Sequence, residues 1–148
     1  MINKEIIKLA SDTSNEGLKN KYSHKISLKN STCGDKITLE LIADKKKISS
    51  MKYETESCVY CEASASLLSR KIKNIKLKDI KKDFVTLKKI SLKKNEKIPK
   101  RLSDFNKLLT SDNFSRFKCI FLPIDAVLKA LKLWEKYSLF YLCLVFFQ

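Results

Sequence analysis

The chain has 148 residues, 44% of them apolar, and a formal net charge of +15 from 31 Lys and Arg against 16 Asp and Glu. That length and apolar content fit one folded domain and exclude a wholly disordered chain, and two glycines leave no material for a Gly-rich phosphate loop. The charge would suit an anionic partner, but only Arg70, Arg101 and Arg116 carry the guanidinium that base and phosphate readers favour, and the lysines are spread along the chain, so nucleic-acid binding is not expected.

Ile2, Ile6, Ile7 and Leu9 recur at helical spacing and predict a short N-terminal helix. The charges within Met1 to Ala10 argue against a secretory signal, so a reducing, cytoplasmic setting is expected. Ser11 to Asn20 is polar and loop-like. Ile26 and Leu28, then Ile37, Leu39 and Leu41, alternate with polar residues as in half-buried strands, and Ile48, Met51 and Tyr53 mark a third. Asp44 to Lys47 is the hairpin loop between the last two, so the strands are expected to form an antiparallel meander.

After Cys58 the period becomes helical, with Ala63, Leu67, Leu68, Ile72 and Ile75 on one stripe. A second short helix is expected over Lys76 to Phe84, then a basic linker over Ser91 to Lys100 that Pro99 closes. Leu102, Phe105, Leu108 and Leu109 suggest a further helical turn or two. The last helix is expected to start near Pro123, a good first-turn residue, with Asp125 near the positive end of the dipole. Its stripe is Leu122, Ala126, Val127, Ala130, Leu131 and Trp134, and Trp134 is expected in the core.

The predicted class is α+β: a three-stranded antiparallel sheet with helices packed on one face. Ser138 to Phe147 is almost wholly apolar but falls short of the roughly 20 residues that cross a bilayer, so no membrane span is expected. It reads as a packed terminal segment or a partner surface, and gives a division into a domain over 1–136 and an apolar tail over 137–148.

Five cysteines are present: Cys33, Cys58, Cys61, Cys119 and Cys143. In a reducing compartment they are metal ligands, reactive thiols or core fillers before they are disulfides. Cys33 lies in TCGDKITL, where Gly34 allows a left-handed backbone and Asp35 sets a carboxylate two residues from the thiol. Cys58, in ESCVYCEASASLLS, and Cys119, in RFKCIFLPIDAVLKAL, each precede a predicted helix, whose dipole favours thiolate. Three thiolates and a carboxylate make a four-ligand set suited to zinc or to iron–sulfur chemistry. Cys58 and Cys61 form a CxxC, which alone fits half a zinc site, a redox pair or a core thiol. No role is expected of Cys143. His24, the single His, reads as a surface residue, and no Ser/His/Asp arrangement supports hydrolysis.

The three cysteine segments, in this order, resemble the IscU/SufU/NifU N-terminal family of iron–sulfur cluster assembly scaffolds over roughly residues 20 to 134. The resemblance implies a scaffold rather than an enzyme, with Cys33, Asp35, Cys58 and Cys119 as the ligand set for a transient cluster of 2Fe–2S type. It also implies a PLP-dependent cysteine desulfurase as sulfur donor and apo iron–sulfur proteins as recipients, with Cys33 or Cys119 accepting the sulfur.

The sequence departs from the family pattern in places. Ser57 stands where a Gly is usual, and Cys61 is additional and offers an auxiliary ligand. Lys118 stands where IscU proper has a His; it is a candidate for holding Cys119 as thiolate. The spacing of 61 positions from Cys58 to Cys119 looks more like SufU, whose members are associated with bound zinc and sulfur transfer. Zinc-dependent sulfur transfer is therefore the alternative function. A basic interaction protein with incidental cysteines is the alternative class.

Overall fold

The structure is a computed structural model that describes residues 2–73, 75–90 and 97–133. Helix α1, Lys4–Ala10, starts where the Asn3 side chain accepts the Ile6 N–H at 3.0 Å, an N-cap that satisfies one orphan donor. Strands β1 (His24–Lys29), β2 (Lys36–Ala43) and β3 (Ile48–Glu56) then pair antiparallel in the order β1-β2-β3. The register pairs Leu39 with both Ile26 and Tyr53, so the alternating apolar residues of all three strands share one face. Helices α2 (Val59–Lys71) and α4 (Phe117–Ala130) pack on that face. The expected α+β meander with helices on one side of the sheet is thus the fold.

The opposite face is covered differently. Glu40 points away from the helices yet is 1% exposed. Its carboxylate accepts the backbone N–H of Lys19 at 2.9 Å and of Asn20 at 3.1 Å, and Lys25 Nζ lies at 3.5 Å. The polar stretch after α1, which reads as an ordinary loop, is therefore strapped across the sheet by a buried acid. Gly17 and Tyr53 add a backbone bond of 2.8 Å along the β3 edge.

The helical half departs from the sequence reading in four places. Helix α2 carries no single apolar stripe: Tyr60, Cys61 and every residue from Ala63 to Ser69 are buried. Its buried serines find partners in the segments packed against it, with Ser64 Oγ donating to the Ile120 carbonyl at 2.6 Å and Ser66 Oγ to the Asp12 carbonyl at 2.8 Å. Helix α3 runs from Leu77 to Ile90 rather than ending at Phe84, because Leu87 continues the buried row of Ile80 and Phe84 one turn further.

Leu102, Phe105 and Leu108 are buried around a 3-10 helix over Lys100–Lys107; their spacing of three suits three residues per turn. A second 3-10 helix, Ser111–Arg116, has no counterpart in the sequence reading.

The fourth departure matters most. Helix α4 begins at Phe117, so Pro123 lies in its interior and Cys119 in its first turn, rather than ahead of it. Proline lacks the N–H that would bond the Cys119 carbonyl. Burial of Cys119, Ile120, Phe121 and Leu122 outweighs that loss. Asp125 is therefore mid-helix, where Lys88 Nζ pairs with it at 2.5 Å. Trp134, Cys143, most of the basic linker and the proposed boundary after residue 136 lie outside the described residues.

Candidate functional site

Three separate segments deliver the cysteines to one point. The first is the loop that joins β1 to β2. Asn30 N–H donates to the Asp35 carbonyl at 2.7 Å, and the Gly34 N–H returns to the Asn30 carbonyl at 2.8 Å. Gly34 sits at φ +77°, a left-handed conformation that a side chain would strain, so the tight loop needs glycine there. Cys33 is exposed at its tip, while Asp35, at the entry to β2, is 6% exposed and turned inward.

The second segment is the start of α2. Cys58 is its N-cap, but its own side chain does not cap the helix. Asp35 does so from across the fold: its carboxylate accepts the Cys58 N–H at 3.0 Å and the Cys58 thiol at 3.1 Å. Ser57, standing where the family favours Gly, is not among the positive-φ residues, so the loop needs no glycine freedom there. The third segment is the first turn of α4, where Cys119 Sγ lies 3.5 Å from Cys33 Sγ. The ligand atoms of Cys33, Asp35 and Cys119 all fall within 4.8 Å of one another.

The electrostatics follow from this crowding. Burial raises the Asp35 pKa, but the hydrogen bonds from Cys58, then from Cys119 and Cys33, outweigh it and hold the carboxyl below its usual value. Burial pushes the Cys58 thiol up, and the Asp35 carboxylate adds to that. Cys119 is pushed up as well, by burial first and then by Cys33, Cys58 and Asp35. Without a cation, Cys58 and Cys119 thus hold their protons while Asp35 carries the charge. A cation would reverse this, because a metal ion ionises a coordinating thiol outright.

The reading of Lys118 and the helix terminus as keeping Cys119 a thiolate does not describe the metal-free site. Lys118 is exposed, and burial wins. Cys61 is fully buried, and burial pushes its thiol up to about 12, as expected of a core thiol. His24 lies at the other end of β1 from the Cys33 loop, hydrogen-bonded to Ser23 Oγ at 2.8 Å.

A small α+β fold carrying a half-buried thiol and carboxylate cluster at one end of its sheet is a class defined by that cluster. The chain matches the NifU-like N terminal domain over residues 1–136, and belongs to that family. Among solved structures, it is similar to the N-terminal part of a nitrogen-fixing NifU-like protein from Brucella abortus. The two share 20% identity and a TM-score of 0.78, over 90% of this chain and 94% of that one. It is also similar to a protein from Fervidobacterium islandicum AW-1 described as an iron–sulfur cluster assembly scaffold for the SUF system. Here the identity is 21% and the TM-score 0.74, over 88% and 96% of the two chains. A structure of a hypothetical protein matches at 23% identity and TM-score 0.71, over 88% and 99%. At these identities the likeness establishes the fold. No curated protein matches the sequence.

Proposed function

We propose that the chain is an assembly scaffold that holds a transient iron–sulfur cluster, as cargo, on Cys33, Cys58 and Cys119 with Asp35 as an oxygen ligand. The observation that supports it is the convergence itself: Cys33 meets Cys119 at 3.5 Å and Asp35 meets Cys58 at 3.1 Å, across three segments far apart in sequence. An oxygen ligand binds cluster iron less firmly than sulfur, which suits a site that must release its cargo to apo iron–sulfur proteins. The chain then acts in the cytoplasm and is not an enzyme in its own right.

Sulfur arrives at Cys33 from a PLP-dependent cysteine desulfurase. Cys33 is the exposed thiol, whereas Cys119 is 3% exposed and cannot meet a bulky donor without opening the site. In the transfer, the Cys33 thiolate attacks the outer sulfur of the donor's persulfide. A new S–S bond forms, and the donor's cysteine leaves as thiolate.

A second reading has zinc as the resident ion and sulfur transfer as the function, and the compact donor set suits it: the ligand atoms of Cys33, Asp35 and Cys119 lie within 4.8 Å of one another, close enough for a single ion. Zn–S bonds of about 2.3 Å place sulfurs about 3.8 Å apart around one tetrahedral ion. The 3.5 Å between Cys33 and Cys119 is near that value. Two thiolates on one tetrahedral iron of a cluster lie about as far apart, so this pair alone suits either ion. Zinc would be held by the same four residues and would keep their thiols ionised at neutral pH.

Incubation with the desulfurase and cysteine, followed by mass spectrometry, tests the acceptor. Persulfide on Cys33 supports it; unmodified Cys33 and Cys119 with unchanged desulfurase turnover contradict it. Anaerobic reconstitution with iron and sulfide separates the two readings. A visible charge-transfer spectrum belongs to the scaffold, and retained zinc with no cluster belongs to the transferase.

A further inference from the structure

Beside the thiols, an open groove of ≈ 740 Å³ runs between the end of β1 with its following loop and α4. Leu28, Phe117 and Phe121 line it, together with Phe114. Phe114 is 67% exposed, the most exposed of the large apolar side chains among the described residues. It is not loose: its ring meets Phe117 edge-on at 5.4 Å, and Phe117 meets Phe121 at 6.1 Å. The three rings form a fixed ridge whose outer member is uncovered.

Lys29 and Lys118, both exposed, stand on the groove's lining. The one carboxylate there, Asp125, is engaged by Lys88 at 2.5 Å. An uncovered aromatic ridge with a basic rim has the composition of a protein-docking hot spot, and its charge selects an acidic occupant.

We propose that this groove docks a partner-protein segment that lays an aromatic or aliphatic side chain against Phe114 and Phe117 and brings flanking carboxylates to Lys29 and Lys118. Asn30, Ser31 and Thr32 line the same groove immediately before Cys33, and Lys118 immediately precedes Cys119. A segment held there sets the body of its protein over both thiols. The inference rests on the function proposed above only for what is exchanged; docking itself needs no metal and no persulfide.

The test uses the full chain and a fluorescein-labelled hexapeptide with a Leu-Phe centre and Asp and Glu flanks, followed by fluorescence anisotropy at low salt. Two control peptides carry an Ala-Ala centre or Lys flanks. The acidic apolar peptide binds, and each control binds more weakly by about ten-fold or more. Phe114→Ala and Lys118→Glu each weaken binding by a similar factor, about ten-fold. Phe114→Ala keeps the circular dichroism spectrum and metal content of the parent chain, so loss of docking is distinct from loss of the cysteine site. Docking that depends on Phe114 in a protein found to hold no metal and accept no sulfur would leave this inference standing and remove only the other.

Equal binding of all three peptides, or undiminished binding by Phe114→Ala, overturns the proposal. So does binding to vesicles of phosphatidylcholine and phosphatidylserine that needs Phe114 when the peptide does not bind, which would assign the ridge to a lipid surface. A dimer in sedimentation velocity that Phe114→Ala dissolves and the peptide does not disturb would assign it to a second copy of the chain.

Discussion

The carboxylate of Asp35 holds Cys58 twice, through the backbone N–H at 3.0 Å and through the thiol at 3.1 Å. One residue thus caps α2, aims its first thiol and sets the proton balance of the site. Asp35→Ala removes the negative charge that raises Cys58 and Cys119. Its thiols should therefore react with iodoacetamide at lower pH than those of the parent chain. If the carboxylate also keeps the cargo labile, cluster transfer to an acceptor slows while assembly persists. An unmoved pH profile together with unchanged transfer would reduce Asp35 to a turn residue.

Glu40 makes a separate prediction, about stability alone. Glu40→Ala leaves the Lys19 and Asn20 N–H groups without their acceptor beneath the strap, at a cost of about 1–3 kcal/mol. Urea unfolding should show a lower midpoint with the metal stoichiometry unchanged, because the strap covers the sheet face away from the helices. A midpoint equal to that of the parent chain would contradict the strap's role.

Ser64 tests how helix packing serves the site. It joins α2 to α4, the helices that carry Cys58 and Cys119, through its 2.6 Å bond to the Ile120 carbonyl. Ser64→Ala costs about 1 kcal/mol and leaves the spacing intact. Ser64→Val forces a larger, branched group between the helices at a cost of about 1–3 kcal/mol. Zinc affinity should fall in the Val variant and hold in the Ala variant. Equal affinities would mean that the inter-helix distance does not control the donor set.

Cys61 provides a pH signature. An unfolded thiol titrates near about 8.5, and burial lifts Cys61 to about 12 in the fold. The folded state therefore holds its proton more tightly. That stabilisation is complete below the unfolded value and is lost as pH rises through the folded one, by at most about 1.4 kcal/mol per pH unit. Between pH 8.5 and 10.5 the metal-free parent should lose stability faster than Cys61→Ala. Lysine titration affects both chains alike, so parallel curves would contradict the account.

The sheet was legible in the sequence because period-2 alternation survives in all three strands, and the turn at Gly34 because glycine was the residue its φ of +77° needs. The ordered cysteine segments pointed to the family and to the residues that meet in space. What could not be read was set by tertiary contacts. Pro123 looks like a helix start until the burial of Cys119 to Leu122 places it inside one. Asp35 as the cap of α2 is a contact across 23 positions, and nothing local in either segment announces it. Glu40 has the alternation of a solvent-facing strand residue, and only the folded strap shows it to be buried. Phe114 has partners at helical spacing in Phe117 and Phe121, but it lies ahead of the expected start of the last helix, on a 3-10 turn that the sequence did not mark.

The central claim is that Cys33, Cys58, Cys119 and Asp35 form one site. Anaerobic metal and sulfide analysis of the purified chain, beside Cys33→Ser, Cys58→Ser and Cys119→Ser, tests it most directly. Each variant removes one thiolate from a four-ligand set, so each should lose most of the bound metal or cluster, while Cys143→Ser keeps it. Equal metal content in all four variants would contradict the account.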